Sequence, residues 1–242
     1  LRRFIGAREL IHNIERHCLW LVNADPADIR LSKELKKRIG EVARMRLEST
    51  SSSTRKAAAT ASLFQSIRQP TKPYLAVPRH SSADREYVPI ARFDPSVIAG
   101  DALSIIEDAT LVTFAFLSCR VFQVWNKAIS GRIKSDTRIS NGITYNNFPF
   151  ASLTEKSKLK VEESAQSILD VRERFPKNSL ADLYDPRSMP VDLRKSHQNL
   201  DSIILAAYGL RWESSDSEIL EVLFKRHAEI MGGLLSRPFK KG

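Results

Sequence analysis

The sequence predicts an α+β fold, in which a mixed β-sheet module with flanking helices is followed by an all-helical module. Two observations indicate this order. Short β-rich pieces punctuated by prolines fill residues 70–106, whereas after Phe150 apolar side chains recur at helical spacing over long stretches. We place the two modules at residues 1–152 and 153–242.

The first module is predicted to begin with helices. Residues 7–16 are typical of a short helix, and the apolar residues 18–22 are typical of a strand. A long helix is predicted over 29–47, where apolar side chains recur at helical spacing beside many basic residues. Residues 55–64 favour one more helix.

The remaining elements follow from shorter patterns. The predicted strands are residues 74–77, 86–92, 103–106 and, as the most deeply buried, 110–117. Residues 118–130 favour a helix with one apolar side. In the second module the predicted helices cover residues 154–174, 191–208 and 216–231.

Positive charge is concentrated in the first part of the chain. The 242 residues carry a net charge of +10, and residues 1–150 hold 23 Lys+Arg against 14 Asp+Glu. Residues 151–242 hold 15 against 14. This balance favours a polyanion partner for the first module, with Lys33, Lys37 and Arg44 as candidate phosphate contacts. A solvated helix surface is the alternative interpretation of those three residues.

Composition excludes several classes of protein. Two cysteines, Cys18 and Cys119, are too few for a disulfide framework or a zinc site, which fits a reducing compartment. No apolar run approaches the roughly 20 residues of a membrane span. The chain begins at Leu1 rather than Met, and its first residues already have the pattern of a folded domain. We therefore expect it to be a piece of a larger protein.

Catalytic motifs are weak. Asp28, Glu34 and Lys36 mimic the acidic spacing of metal-dependent nucleases, but the last two lie in a helical pattern and point to different sides. The "NNFPF" at 146–150 only faintly resembles the N-P-P-[YF] loop of amino-methyltransferases, and no glycine-rich cofactor loop precedes it. The five histidines show no metal-binding spacing. We therefore predict no catalytic site, metal or cofactor within this chain.

The stretch "GRIKSDTRISNGITYNNFPF" at 131–150 is the most informative. It places Arg132, Lys134, Asp136 and Arg138 at every second position, which would put all four on one face of a strand. Lysine can donate to guanine O6 and N7, and aspartate can accept from cytosine N4, so a Lys–Asp pair fits a G·C pair in the major groove. A salt-bridged exposed strand is the alternative.

The chain resembles the C-terminal part of MmeI-like (type IIL) restriction–modification enzymes. The resemblance rests on "LRRFIGAREL" at 1–10, "CLWL" at 18–21, "VPRHSSADREYVPI" at 77–90, the 131–150 stretch and "LADLYDPRSMPVDLRKSH" at 180–197. In that family one polypeptide carries a nuclease, a helical connector and an adenine-N6 methyltransferase, followed by a target recognition domain and a helical C-terminal domain. The chain resembles the last two.

The resemblance implies specific roles. Lys134 and Asp136 would read one base pair together, Arg138 would cooperate with a residue near Ala102, and Arg79 would cooperate with Asp101. On the basis of its charge alone, Arg132 is predicted to join Lys33, Lys37 and Arg44 as a contact to the DNA backbone. The sequence departs from the family at Thr137, where an aromatic residue is common, and at Phe150, where tryptophan is common.

The resemblance also implies partners and a location. The expected partners are double-stranded DNA and, in cis, a methyltransferase domain. No membrane partner is expected, and the expected location is the bacterial cytoplasm. S-adenosylmethionine, and Mg²⁺ where a nuclease is present, would belong to the parent protein. Two alternatives remain open: a protein–protein interaction module of a restriction or phage-defence complex, and an autonomous nuclease or methyltransferase.

Overall fold

The computed structural model describes residues 1–133 and 136–235. The chain forms two compact units. We call residues 1–3 and 17–70 the small unit, and residues 4–16 together with those from 71 onward the main unit. The α+β prediction is confirmed, because strands and helices alternate in the first part and the described residues after 153 form helices.

The elements are numbered along the chain. In order, they are β1 (Arg2–Ile5), α1 (Ala7–His12), β2 (His17–Cys18), α2 (Pro26–Leu31), α3 (Lys33–Leu47), α4 (Ser52–Lys56), β3 (Tyr74–Pro78), β4 (His80–Ser81), β5 (Ala91–Phe93), β6 (Ile98–Ala99) and β7 (Leu103–Glu107). They continue with α5 (Leu111–Leu117), α6 (Arg120–Ile129), β8 (Gly131–Ile133), β9 (Asp136–Arg138), α7 (Glu155–Glu173), α8 (Leu180–Leu183), α9 (Val191–Ala207) and α10 (Asp216–Leu235). Short turns of 3-10 helix (Ala57–Thr60) and π-helix (Asn141–Tyr145) accompany them.

The small unit is mainly helical, but its long helix starts later than predicted. Ser32 is extended, and its hydroxyl accepts the Leu35 N–H at 3.2 Å, so one helix ends there and α3 begins. The predictions at 18–22 and 55–64 are also too long. Cys18 is the last residue of β2, and α4 gives way to a 3-10 turn at Ala57.

A buried arginine holds the small unit together. Arg46 is 8% exposed and projects from α3. Its guanidinium donates to the carbonyls of Ala57, Thr60 and Leu63 at 2.8, 3.1 and 2.7 Å. These carbonyls lie in and after the 3-10 turn, so one side chain fixes the turn against α3.

The main unit contains short sheets. Strand β3 is central in an antiparallel sheet of order β5–β3–β7, which confirms the strands predicted at 74–77 and 103–106. A second sheet has the order β4–β9–β8. In addition, Phe4 and Ile5 of β1 pair in parallel with β6.

One predicted strand is wrong, and another is much shorter than predicted. Residues 110–117 form helix α5, whose first turn is capped by Thr110 accepting the Thr113 N–H at 3.3 Å. Its last four residues are all buried, so the run lacks the polar side that would reveal a helix, and its length suits a buried strand equally well. The strand at 86–92 shrinks to β5, because Pro89 lacks the N–H that a ladder requires.

The predicted helices at 118–130, 154–174, 191–208 and 216–231 are confirmed as α6, α7, α9 and α10. The helix at 7–16 is shorter, because Asn13 adopts a left-handed conformation with φ of 50° and ends α1. Helices α5 and α6 share one hydrophobic core with α7, α9 and α10. The boundary at 152–153 therefore stays a prediction about sequence modules, since the packing is continuous across it.

A buried chain of hydrogen bonds also crosses position 152. Arg172 on α7 donates through Nε to the Tyr184 hydroxyl at 2.7 Å and through Nη1 to the Ile90 carbonyl at 2.7 Å. Tyr184 contacts His197 Nε2 at 2.9 Å, and His197 Nδ1 lies 3.0 Å from the Ser118 carbonyl. A carbonyl can only accept, so Nδ1 carries a proton. The Tyr184 hydroxyl already accepts from Arg172, which directs its own proton to Nε2. The direction of donation thus fixes His197 as a neutral imidazole.

Candidate nucleic-acid interface

Strand β9 lies at the centre of its sheet. His80 of β4 is opposite Arg138, and Arg132 of β8 is opposite Thr137. Alternation along β9 puts Asp136 and Arg138 on one face and Thr137 on the other. Thr137 is 1% exposed, whereas Arg138 is exposed and Asp136 is half-buried. The face with Asp136 and Arg138 is therefore the outer face.

The prediction of one continuous strand over 132–138 is wrong. Residues Gly131–Ile133 and Asp136–Arg138 are two antiparallel strands. Opposed residues of such a pair project to the same face, so Arg132 shares the face of Thr137 rather than that of Arg138. Residues 131–138 contain no Asn-Gly or Asp-Gly pair, which is the usual sequence sign of a tight turn between two antiparallel strands. Lys134 lies outside the described residues, and its partnership with Asp136 stays a prediction.

The backbone of Arg79 connects the two sheets. Its N–H donates to the carbonyl of Ala102 at 3.0 Å, and its carbonyl accepts the N–H of Ile139 at 2.8 Å. Ile139 directly follows Arg138, and Asp101 directly precedes Ala102. The three segments that the resemblance singles out therefore meet side by side, although they are distant in sequence. Their roles in reading bases stay a prediction.

Four polar side chains at this meeting point lack a hydrogen-bond or ion-pair partner among the described residues. In the described part of the chain, no hydrogen bond or ion pair is found for the side chains of Arg79, Asp101, Asp136 and Arg138. Elsewhere in the main unit Arg120 and Arg194 each pair with a carboxylate, at 2.7 and 2.6 Å. We call the four unpaired residues, together with Ala102, the reading edge.

Arg85 belongs to the electrostatic surroundings of the reading edge. It lies half-buried in the segment between β4 and β5. Burial lowers the pKa of its guanidinium, while the carboxylates of Asp136 and Asp185 act in the opposite direction. Asp136 therefore faces a partly buried positive charge without being tied to it by a hydrogen bond.

This arrangement is suited to contacts with base edges. A guanidinium donates two hydrogen bonds to guanine O6 and N7, and a carboxylate accepts from cytosine N4. The reading edge offers both kinds of group, two arginines and two aspartates, and no ion pair to another described residue competes for them. Such groups discriminate between base pairs, whereas phosphates would attract only the arginines.

The small unit provides a positive surface. It holds 12 Lys+Arg against 5 Asp+Glu, a net charge of +7 within the +10 of the whole chain. Lys33, Lys37 and Arg44, the predicted backbone contacts, are exposed on α3. Arg38 on the same helix is neutralised by Glu34 at 3.0 Å. The surface has the charge that phosphate contacts require, and these contacts stay a prediction.

The weak catalytic motifs have structural explanations. Glu34 and Lys36 lie two positions apart on α3, and so they project from different sides of the helix. In "NNFPF", Phe148 lies in the core, and Asn147 donates to the carbonyls of Gly142 and Ile143. Within residues 1–133 and 136–235, no group of three His, Cys, Asp or Glu side chains could hold a metal ion. No helix there is long and apolar enough to cross a bilayer.

Sequence reasoning missed the polar residues behind the reading edge. Gln123 and Asn126 are buried on α6, and the side chain of Asn126 bonds to Thr137. The available signal was their spacing of three residues, which places two amides on the same side of a largely apolar helix.

The unpaired donors and acceptors of the reading edge, together with the net positive charge of the small unit, define the class as a candidate nucleic-acid recognition module. The chain belongs to the MmeI family: the family model described as "MmeI, target recognition domain" matches residues 1–152, and "MmeI, C-terminal domain" matches residues 153–235. The resemblance predicted from the sequence is thereby confirmed.

Two relatives support the assignment. The chain is 36% identical over 229 residues to "DNA methyltransferase A" of Bacillus subtilis (strain 168), covering 95% of this chain and 26% of that protein. It also matches a solved structure described as "Structure of Type IIL restriction-modification enzyme MmeI in complex with DNA has implications for engineering of new specificities". That match has a TM-score of 0.93 and 37% identity, and it covers 96% of this chain and 31% of the other. The chain thus spans about a quarter to a third of the relatives it matches.

Proposed function

We propose that this chain is the sequence-specific, double-stranded DNA recognition module of a larger S-adenosylmethionine-dependent DNA adenine-N6 methyltransferase, with or without a restriction nuclease in the same polypeptide. The observation that carries the proposal is the reading edge. It gathers two arginines and two aspartates, which have no hydrogen bond or ion pair to any described residue, on segments joined by the Arg79 backbone. Membership of the MmeI family supports the same function.

Recognition divides between two kinds of contact. Lys33, Lys37 and Arg44 of the small unit, with Arg132 on β8, contact phosphates and hold the chain on the duplex. The reading edge, with Lys134, contacts base edges in the major groove. In this scheme Arg138 works with the position of Ala102, and Arg79 works with Asp101.

Catalysis belongs to the parent protein. The described residues contain no glycine-rich strand and turn that would cradle S-adenosylmethionine, and they offer no metal-binding cluster for the Mg²⁺ of a nuclease. We assign both ligands to a methyltransferase domain, and to a nuclease where one is present, that act in cis with this chain. The parent protein would work on DNA in the bacterial cytoplasm.

A salt titration of DNA binding tests the proposal. The probe is a 30-base-pair duplex of random sequence, and its affinity for the chain is followed by fluorescence anisotropy at several salt concentrations. We expect affinity to fall linearly with salt on a double-logarithmic plot, because each phosphate contact releases condensed counterions. Replacing Lys33, Lys37 and Arg44 by glutamine should reduce the slope by about two to three, at roughly 0.9 for each contact.

The control removes the same charge elsewhere. Lys156, Lys158 and Lys160 are exposed on α7, in the part of the chain that is nearly neutral. Their replacement by glutamine should leave the slope close to that of the unchanged chain. Substitution is preferred to truncation, because the two sequence modules share a hydrophobic core. Equal effects from the two triple variants, or no binding at low salt, would contradict the proposed function.

A further inference from the structure

Strand β9 carries two residues of the reading edge, yet little backbone holds it. It has three residues, and its neighbours β4 and β8 have two and three. A shift by one residue in a strand exchanges its two faces, so Asp136 and Arg138 would turn inward and Thr137 outward. With so short a ladder, side chains on the buried face of β9 can contribute much of what fixes the register.

Thr137 provides a side-chain connection on the inner face. Its hydroxyl accepts from Asn126 Nδ2 at 3.1 Å and donates to the carbonyl of Ser81 at 3.3 Å. Asn126 lies on α6 and Ser81 lies on β4. The Thr137 hydroxyl thus joins β9 both to helix α6 and to strand β4.

Asn126 is itself fixed from several sides. It is 0% exposed, its Nδ2 also donates to Gln123 Oε1 at 3.2 Å, and its Oδ1 accepts from Ser130 Oγ at 2.7 Å. Gln123, 3% exposed, donates to the carbonyl of Arg85, the cation near Asp136. The amide group of Asn126 therefore cannot rotate to follow a displaced strand.

The network makes one register more favourable than its neighbours. If β9 shifted by one residue, the Asn126 amide would lose Thr137 and remain buried with a donor unsatisfied. Apolar packing on the buried face also favours one register, and the buried hydrogen bond adds a polar partner that must lie at one position.

We propose that Asn126 and Thr137 are positioning residues for base recognition, which act by holding β9 in the register that turns Asp136 and Arg138 outward. The inference rests on the proposed function and adds residues that touch no DNA. It assigns to the hydroxyl of Thr137 a role in sequence discrimination rather than in overall affinity.

The test compares sequence preference at each base position. The full chain is incubated with a library of duplexes that contain a random 12-base-pair core, and the bound fraction is sequenced. Thr137→Val removes the hydroxyl and keeps the volume of the side chain. We expect preference to fall by about fivefold or more at the base pairs read by Asp136 and Arg138, because a good base contact is worth roughly five- to 150-fold. Preference elsewhere in the motif should fall much less.

Two further variants separate positioning from folding. Thr137→Ser keeps the hydroxyl, and we expect it to keep the motif of the unchanged chain. Tyr208→Phe is the matched control: its hydroxyl also accepts one hydrogen bond, from the Ala151 N–H at 3.1 Å, and donates one, to the Pro149 carbonyl at 3.0 Å. Tyr208→Phe should leave the relative base preferences at every position of the motif unchanged. If Thr137→Val proves unstable, the paired change Asn126→Leu with Thr137→Val removes both partners of this hydrogen bond, so that no Asn126 N–H is left without its acceptor. The cost that remains is the Gln123 Oε1 acceptor, which loses its Asn126 donor.

Each outcome of the selection experiment either supports or overturns the positioning role of Thr137 and Asn126. If the unchanged chain selects a motif and Thr137→Val selects the same motif with the same preferences, the positioning role is wrong and the proposed function stands. A uniform loss at every position, as great in Tyr208→Phe, would show a merely structural role and would also overturn the inference. If no variant and not even the unchanged chain selects a motif, the proposed function itself fails.

Discussion

The hydroxyl of Tyr87 donates a hydrogen bond to Asp201 Oδ2 at 2.7 Å, across 114 positions of the sequence. The second oxygen of the same carboxylate accepts the backbone N–H of Arg120 at 2.6 Å. Tyr87 and Arg120 belong to the segment matched as a target recognition domain, and Asp201 belongs to the segment matched as the C-terminal domain. The helical segment therefore supports the fold of the recognition segment through a buried carboxylate.

Removing the Tyr87 hydroxyl should destabilise the main unit. Tyr87→Phe leaves a buried carboxylate without one of its two donors, which costs about 1–3 kcal/mol. Tyr145→Phe is the control, because Tyr145 is half-buried and no hydrogen bond of its hydroxyl is found in the described part. Urea unfolding should show a clear loss for the first variant and a change within about 0.5 kcal/mol for the second. Equal midpoints for the two variants would contradict the role of the Tyr87–Asp201 contact.

Acid should weaken the fold through His197. Burial lowers the pKa of His197 to about 3, from an ordinary value of 6.5, and the charge of Arg172 adds to the effect. The unfolded chain therefore binds the extra proton first. The stability that neutral His197 provides is complete above about pH 6.5 and is lost as the pH falls toward 3.

Asp201 acts in the opposite direction, so a variant is needed to separate the two groups. Burial raises the pKa of Asp201 to about 6, and its contribution is present at low pH and lost as the pH rises through 6. We expect the stability difference between the unchanged chain and His197→Gln to shrink from pH 7 to pH 4.5, because only the unchanged chain carries the acid-sensitive imidazole. Urea unfolding at the two pH values measures this. Parallel losses in both proteins would refute the assignment.

Arg46 should be essential for the small unit, and its neighbour Arg44 should not. Arg46→Met leaves the three carbonyls that it binds without their donor, at a cost of about 2–3 kcal/mol. Arg44→Met removes an exposed charge from the same helix. Residue-resolved hydrogen exchange should show faster exchange across α3 and the 3-10 turn in Arg46→Met alone. Unchanged protection in that variant would contradict the structural role.

The sequence was informative where one side of an element faces solvent. Helices α7, α9 and α10 have polar sides, and their periodicity predicted them well. The run at 110–117 is buried over most of its length, and its pattern could not separate a helix from a strand. The charged alternation at 132–138 was equally ambiguous, because a hairpin and a single strand share the same spacing of two.

The reading edge could not be derived from local pattern. Arg79, Ala102 and Ile139 meet through backbone hydrogen bonds between separate sheets, and no spacing in the sequence predicts that contact. Only the resemblance to a family suggested that these segments cooperate. The bond between Asn126 and Thr137 was not foreseen, because Asn126 stood in a helix interpreted from its apolar side.

Base reading by residues 134–138 and their neighbours is tested most directly by exchanging a donor and an acceptor. In the double variant Lys134→Glu with Asp136→Arg, donor and acceptor change places, so the preference at one base pair should invert from guanine to cytosine on the strand that Lys134 faces. The measurement is selection from the random duplex library, with Lys156→Glu and Asp170→Arg on α7 as a control of equal charge change. We expect a motif that differs at one position in the first variant and is unchanged in the second. The same motif from the unchanged chain and from both variants would contradict base reading by these residues.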